Sequence, residues 1–129
     1  MQQVLVLFDR FPSLNEIVEV AKQHYGAYAT LKKHLTMSVA IQARAAKLKP
    51  VESKVEIRFR WLEENRRRDP DNVRHGAKYI LDGLVEARVP QDDSQKYIAG
   101  LSDTFLVDKS NPRVEVDIIP LEEDSDGQN

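Results

Sequence analysis

The chain has 129 residues, 41% of them hydrophobic, no cysteine and a formal net charge of −2. That length fits one domain, and the lack of cysteine excludes disulfides, thiolate catalysis and cysteine-type zinc sites. No apolar run approaches about 18 residues, so no membrane-spanning helix is expected, and MQQVLVLFDR lacks the basic start and small-residue cleavage site of a signal peptide; a cytoplasmic protein is the expectation.

Val4-Leu5-Val6-Leu7-Phe8 is a short apolar run read as a buried strand. Phe11-Pro12-Ser13 breaks it, and Ser13 with Glu16 three residues on fits a capping box. Leu14, Ile17, Val18, Ala21, Tyr25, Tyr28, Leu31, Leu35, Val39 and Gln42 then recur at three- and four-residue steps. They predict one face of a long helix, interrupted or weakened at Gly26 and ending near Lys47 ahead of Pro50. Val55, Ile57, Phe59 and Trp61 alternate with charged residues, the pattern of a half-buried strand. Pro70 ends it, with Asp71 or Asn72 as a natural N-cap. Val73, Ala77, Ile80, Leu81, Leu84 and Arg88 predict a second helix, with the Arg88 stem lying along its edge.

A third strand is expected from Tyr97 to Val107, with Tyr97, Ala99, Leu101, Phe105 and Val107 on one face. A last strand alternates Val114, Val116 and Ile118 with Glu115 and Asp117, and the turn at Lys109-Ser110-Asn111-Pro112 suggests that these two strands form a hairpin. The reading is a small α/β (α+β) domain over residues 1–120, a mixed sheet with two helices in the order β-α-β-α-β-β. An acidic tail, 121–129, is expected to be disordered.

Charge is unevenly placed. The tail holds Glu122, Glu123, Asp124 and Asp126, and leaving it out turns −2 into +2. Val20 to Val51 has no acid at all but carries Lys22, Lys32, Lys33, Arg44, Lys47 and Lys49. Arg66-Arg67-Arg68 forms a second basic cluster. Such clusters are often only a solvated face, but two of them in one small domain suit phosphate binding.

Asp69-Pro70-Asp71 places two carboxylates at a strand-to-helix junction, and an extended segment turns residues i and i+2 to one side. Two hard oxygen ligands suit Mg²⁺ or Mn²⁺. Asp92-Asp93 follows the second helix, where a crossover can return it to the same end of the sheet. Convergent carboxylates beside three arginines would make a metal-dependent phosphodiesterase site. Taken singly, Asp-Pro-Asp-Asn is also a common cap and Asp-Asp a common loop. His24 and His34 lack the spacing of a zinc helix and read as surface residues, and no glycine-rich loop supports a nucleotide cofactor.

The ordered set resembles the RusA-like Holliday-junction resolvases, small homodimeric endonucleases frequent in phages and prophages. It comprises Phe11-Pro12-Ser13-Leu14-Asn15, Arg66-Arg67-Arg68-Asp69-Pro70-Asp71-Asn72, Ile80-Leu81-Asp82-Gly83-Leu84, Asp92-Asp93-Ser94-Gln95 and Pro112-Arg113-Val114-Glu115-Val116. The resemblance implies catalytic metal ligands at Asp69, Asp71 and Asp93, with Asp92 auxiliary. The family also has a catalytic lysine four residues after the second aspartate; here that position is His75, while Lys78 keeps the family's spacing to the helix aspartate, Asp82. Three extra residues near the helix start account for this, and Lys78 is the favoured counterpart, on a helix face shared with i+4.

The expected activity is Mg²⁺- or Mn²⁺-dependent hydrolysis of a phosphodiester in four-way DNA junctions, in recombination and repair. Arg66, Arg67, Arg68, Lys32, Lys33 and Asn72 would contact branched DNA, and a homodimer would supply two cuts. The host is then a bacterial cytoplasm and the gene a candidate prophage gene. The alternatives are a non-catalytic nucleic-acid-binding protein on the same scaffold and a nuclease for other branched DNA.

Overall fold

The computed structural model describes residues 1–23 and 26–121. The expectations for the acidic tail beyond Leu121, and for His24 and Tyr25, lie outside the described residues.

The mixed α+β domain is two layers, one sheet and one layer of helices. Strand β1 (Gln3–Leu7) leads to Ser13, which begins helix α1 (Leu14–Gln23) with the expected capping box. The Glu16 amide donates to Ser13 Oγ at 3.1 Å, and the Ser13 amide donates to Glu16 Oε1 at 2.9 Å. The long helix is divided: α1 ends at Gln23, and Gly26, with a left-handed φ of 84°, is the N-cap of a separate helix α2 (Ala27–Ala45). Ala46 caps α2, and Lys47 follows with φ 59°. The Lys47 and Leu48 amides return to the Arg44 and Ala43 carbonyls, closing the helix end ahead of Pro50.

Strand β2 (Val55–Glu63) is followed by a second divided helix, α3 (Pro70–Arg74) and α4 (Ala77–Glu86). The break falls at His75-Gly76, where the three extra residues were expected. Gly76 lies against the core: a Cβ there would stand 2.7 Å from Phe11 Cβ and 3.3 Å from Trp61 Cζ3. Arg88 lies beyond α4, not along its edge; it is an exposed residue with φ 62° in the same kind of helix end as Lys47.

Strands β3 (Ile98–Val107) and β4 (Arg113–Pro120) do not form the expected hairpin. The sheet order is β1-β4-β2-β3, with β4 antiparallel to both β1 and β2 and β3 parallel to β2. Burial explains the order. Val114, Val116 and Ile118 are almost inaccessible, so β4 belongs where both edges are paired. Leu101, Phe105, Leu106 and Val107 are each 40–47% exposed, as at an edge. A register shift at Val55/Glu56 also changes the facing of β3, so Ile98 and not Ala99 is buried. From Leu101 onward the odd-numbered residues oppose Ile57, Phe59 and Trp61, on the side the helices cover. The core joins those residues to Leu5, Leu7, Val116 and Ile118 in the sheet, and to Val39, Ala43, Tyr79, Ile80 and Leu84 in α2 and α4.

On the opposite sheet face Arg60 bridges the strands. Its Nε donates to Glu115 Oε1 at 2.8 Å and its two terminal nitrogens fork onto Asp117, whose side chain is only 6% exposed.

Candidate active site

The segment from Glu63 to Arg74 is held at its start by Arg68. Its Nε and Nη2 donate to the two oxygens of Glu63 at 2.9 Å each, and its Nη1 donates to the Phe11 carbonyl at 2.7 Å. This fork has little donor capacity left for DNA. Arg66 and Arg67 are exposed, and neither side chain has an ion pair among the described residues. Of the three basic residues, two face solvent and the third anchors the loop.

Asp69, not Asp71 or Asn72, is the N-cap of α3. Its φ and ψ of −68° and 153° are the extended values that a following proline favours, and Pro70 takes the first helical position. Its carbonyl accepts the Asn72 and Val73 amides at 3.0 and 3.1 Å, while its side chain makes no capping bond. Asp71 is exposed in the first turn, accepting only the adjacent Asn72 amide at 3.0 Å. The helix therefore starts one residue after Asp69. The two carboxylates flank Pro70 across a helical turn, not along an extended segment as the spacing suggested. Both remain exposed and free of ion pairs among the described residues, with Asn72 half-buried in the first turn of α3.

Asp92 and Asp93 are exposed in the loop before β3, where Asp92 Oδ1 accepts the Asp93 amide at 2.9 Å. Asp93 lines a cleft of about 300 Å³ with Arg74, His75, Lys78, Leu81 and Asp82. The structure thus brings together Asp93, Lys78 and the alternative His75. Asp69 and Asp71 are not in the wall of that cleft. No three carboxylate or imidazole groups among the described residues stand close enough to hold one metal ion.

Lys78 is reached differently from the expectation. His75 and Lys78, the positions four and seven after Asp71, line one cleft, but across the break at Gly76 and not on one continuous helix, since α4 begins at Ala77. The Lys78 ammonium stands 4.0 Å from Asp82 Oδ2, an exposed i,i+4 pair of small energetic weight. His75 is more enclosed. Its Nε2 is 3.2 Å from the hydroxyl of buried Tyr79, and burial, then repulsion from Lys78, lowers its pKa from 6.5. The imidazole is neutral at pH 7, while Lys78 supplies the positive charge. Burial likewise raises the Tyr79 pKa, so that hydroxyl stays protonated. Lys32 and Lys33 lie on α2, the helix packed against α4, with Lys32 half-buried and Lys33 exposed.

Two residues of the cleft region escaped the sequence reading, Arg74 and Asp103. Arg74 Nε donates to Asp103 Oδ2 at 2.6 Å, and Asp103 Oδ1 accepts the Trp61 indole N–H at 2.7 Å. The signal was present: Asp103 is an acid in the apolar phase of β3, between Leu101 and Phe105. A second cavity, about 470 Å³, lies at the end of the sheet and is lined by Phe8, Arg10, Phe11, Arg67 and Arg113 among others.

A two-layer domain with an acidic strand-to-helix turn, exposed arginines beside it and a cleft lined by Arg74, Lys78, Asp82 and Asp93 has the build of a small nuclease. The chain belongs to the RusA family: the family model described as Endodeoxyribonuclease RusA matches residues 14–119 of the 129. β1 lies outside the matched span, yet it closes the sheet against β4. No curated protein matches the chain.

Proposed function

We propose that this protein is a Mg²⁺- or Mn²⁺-dependent endonuclease selective for branched DNA, cutting four-way Holliday junctions in recombination and repair. The observation that carries the reading, within a family of endodeoxyribonucleases, is the Asp69-Pro70-Asp71 turn. It caps a helix through its backbone alone and leaves both carboxylates exposed and free of ion pairs among the described residues, with Asp71 accepting only the Asn72 amide. Exposed hard-oxygen donors of this kind fit a magnesium ion, which accepts one or two protein carboxylates and completes its shell with water and phosphate. Asp69 and Asp71 would hold the ion, with Asp93 and its neighbour Asp92 the further candidates. The ion would supply charge neutralisation at the phosphate and a more acidic water.

The remaining work falls to the chain. Lys78 neutralises charge developing on the phosphate or the departing oxygen. Arg66 and Arg67, with Asn72 beside them and Lys32 and Lys33 on α2, hold flanking backbone. Contacts of this kind position DNA without reading its bases, so selectivity comes from junction shape and deformability. A homodimer would place two sites on the two symmetric strands of a junction. The unpaired outer edge of β3, with exposed Leu101, Phe105, Leu106 and Val107, supports such pairing. No helix among the described residues is long and apolar enough to cross a membrane, which suits work on DNA in a bacterial cytoplasm, on a chromosome or a prophage.

The test is cleavage of a synthetic four-way junction with and without Mg²⁺ or Mn²⁺, beside a linear duplex. The expected result is metal-dependent nicking that Asp71→Asn abolishes. No cut on any branched substrate with either metal would refute the reading. The missing three-carboxylate group within one described chain favours a second reading, a non-catalytic junction binder. It requires junction affinity that Asp71→Asn leaves unchanged, without product. A panel of flaps and forks separates a junction enzyme from one acting on other branched DNA.

A further inference from the structure

Arg74 ends α3, just before the break at Gly76 that separates it from Lys78. It is held from behind. Trp61, 1% exposed, donates its indole N–H to Asp103 at 2.7 Å; the Asp103 side chain, 13% exposed, takes Arg74 Nε on its other oxygen at 2.6 Å. A buried indole thus orients a carboxylate, and the carboxylate orients a guanidinium. The guanidinium has five N–H donors in a rigid fork. Arg74 commits one of them; neither of its Nη nitrogens has a hydrogen-bond partner among the described residues. Arg68, by contrast, uses all three nitrogens within the protein. The Arg74 side chain is 41% exposed and lines the cleft that also holds Lys78 and Asp93.

The position of Asp103 strengthens the point. It opposes Phe59 in the sheet, on the side the helices cover, where the strand otherwise carries Leu101 and Phe105. A carboxylate there is costly unless it is paired, and its two partners are the core indole and Arg74. The turn is also fixed in place, since Gly76 abuts Phe11 and Trp61 too closely for any side chain.

We propose that Arg74 is a phosphate-contacting residue of this cleft, binding DNA phosphate oxygens through its two free Nη groups, and that Asp103, set by Trp61, is its positioning residue. The inference rests on the nuclease reading of the same cleft and adds a second cation to Lys78. Planar bidentate contact is what distinguishes a guanidinium from an ammonium at a phosphate.

The experiment uses the full chain, four-way junction DNA with Mg²⁺, and measures kcat, KM and the salt dependence of binding. Arg74→Ala is expected to lower kcat/KM about 10- to 100-fold, the loss typical of a charge-assisted hydrogen bond, and to make the slope of log affinity against log salt shallower by about one. Arg74→Lys restores the slope but not the full rate. Asp103→Asn keeps an acceptor for Trp61 and removes the negative charge that faces Arg74; it lowers kcat more than it raises KM. In the Arg74→Ala background Asp103→Asn adds no further loss, an interaction that a purely structural role would not produce. If Arg74→Ala unfolds, Arg74→Gln gives the same measurements.

Wild-type rates in Arg74→Ala, or additive losses in the double variant, would overturn the inference while leaving the nuclease reading intact. If the wild-type protein binds junctions but cuts none, that reading fails and the salt slope decides: a slope unchanged in Arg74→Ala overturns the phosphate contact, and a slope shallower by about one upholds it. A protein that binds no DNA overturns both.

Discussion

Gly83→Ala tests how α4, and Lys78 with it, is set on the domain. Gly83 is inside a helix, where alanine is intrinsically favoured by about 1 kcal/mol, so local propensity predicts stabilisation. The packing predicts the reverse. A Cβ at position 83 would stand 2.5 Å from Val39 Cβ, 2.6 Å from Val39 Cγ1 and 2.8 Å from the Thr36 carbonyl oxygen. Comfortable carbon–carbon contact begins at about 3.5 Å, so α2 and α4 must part by about 1 Å. Neither neighbour can yield alone: Val39 is β-branched and fully buried, and the Thr36 oxygen belongs to the α2 backbone. Overpacking of a rigid site costs about 1–3 kcal/mol, and here the upper end applies, leaving a net loss of about 2 kcal/mol after the propensity gain. For a domain of this size that is a fall in Tm of about 8 °C. Thermal unfolding of Gly83→Ala beside Gly100→Ala measures it. A Cβ at Gly100 would meet only Glu56 Cγ at 3.8 Å, so that variant should behave nearly as wild type. A Gly83→Ala protein as stable as wild type would refute the close-approach argument.

Two further outcomes concern charge. Arg60→Met should destabilise the fold by about 3 kcal/mol in urea unfolding, the low end for breaking a buried pair because Arg60 is one-third exposed while Asp117 is not. Arg60→Met with Asp117→Leu should recover most of that loss, and a single-variant cost under about 1 kcal/mol would contradict the ion-pair account. Acid should weaken the protein in two windows. The Ser13 amide lowers the Glu16 pKa from 4.5, with Arg10 assisting, and Arg60 and then Arg113 lower that of Glu115. Carboxylates whose folded pKa is depressed stabilise fully above the unfolded value and lose that contribution as pH falls through the folded one. Half-buried His75, depressed from 6.5, loses stability in the same direction as pH falls below that value. Urea midpoints from pH 7 to 3 should therefore decline, and Glu16→Gln should flatten the part below pH 4.5; parallel curves for the two proteins would contradict the capping-box contribution.

Much of the fold was legible because it depends on local rules. The capping box at Ser13 and Glu16, the break at Gly26, the alternation of β2 and the helix end near Lys47 each follow from a few adjacent residues, and the structure has them all. The hairpin was a misreading of the same kind of local signal. A turn of Lys109 to Pro112 between two strands is compatible with pairing, but the chain instead carries β4 past β2, since only a central strand can bury both Val116 and Ile118 so completely. Leu101, Phe105 and Val107 share a face of β3 as expected, and only the start of the strand differs, because one register shift beside Val55, which no alternation count can foresee, turns Ile98 inward in place of Ala99.

The candidate site divides along the same line. Residue types and spacing by themselves pointed to a metal-dependent phosphodiesterase site at Asp69, Asp71 and Asp92-Asp93 beside a basic run, because that chemistry needs hard oxygens and cations, which are properties of side chains; branched DNA as the substrate came only with the family resemblance. Tertiary structure decided which of these groups remain available. It turned Arg68 inward onto Glu63 and Phe11, left Arg66 and Arg67 outside, and brought Lys78 into the cleft by restarting a helix at Gly76. It also joined Trp61, Asp103 and Arg74, three residues far apart in the chain, in one hydrogen-bonded line. A side chain's chemistry is written in its own position, but its partners, its burial and its free donors depend on residues that only folding brings near.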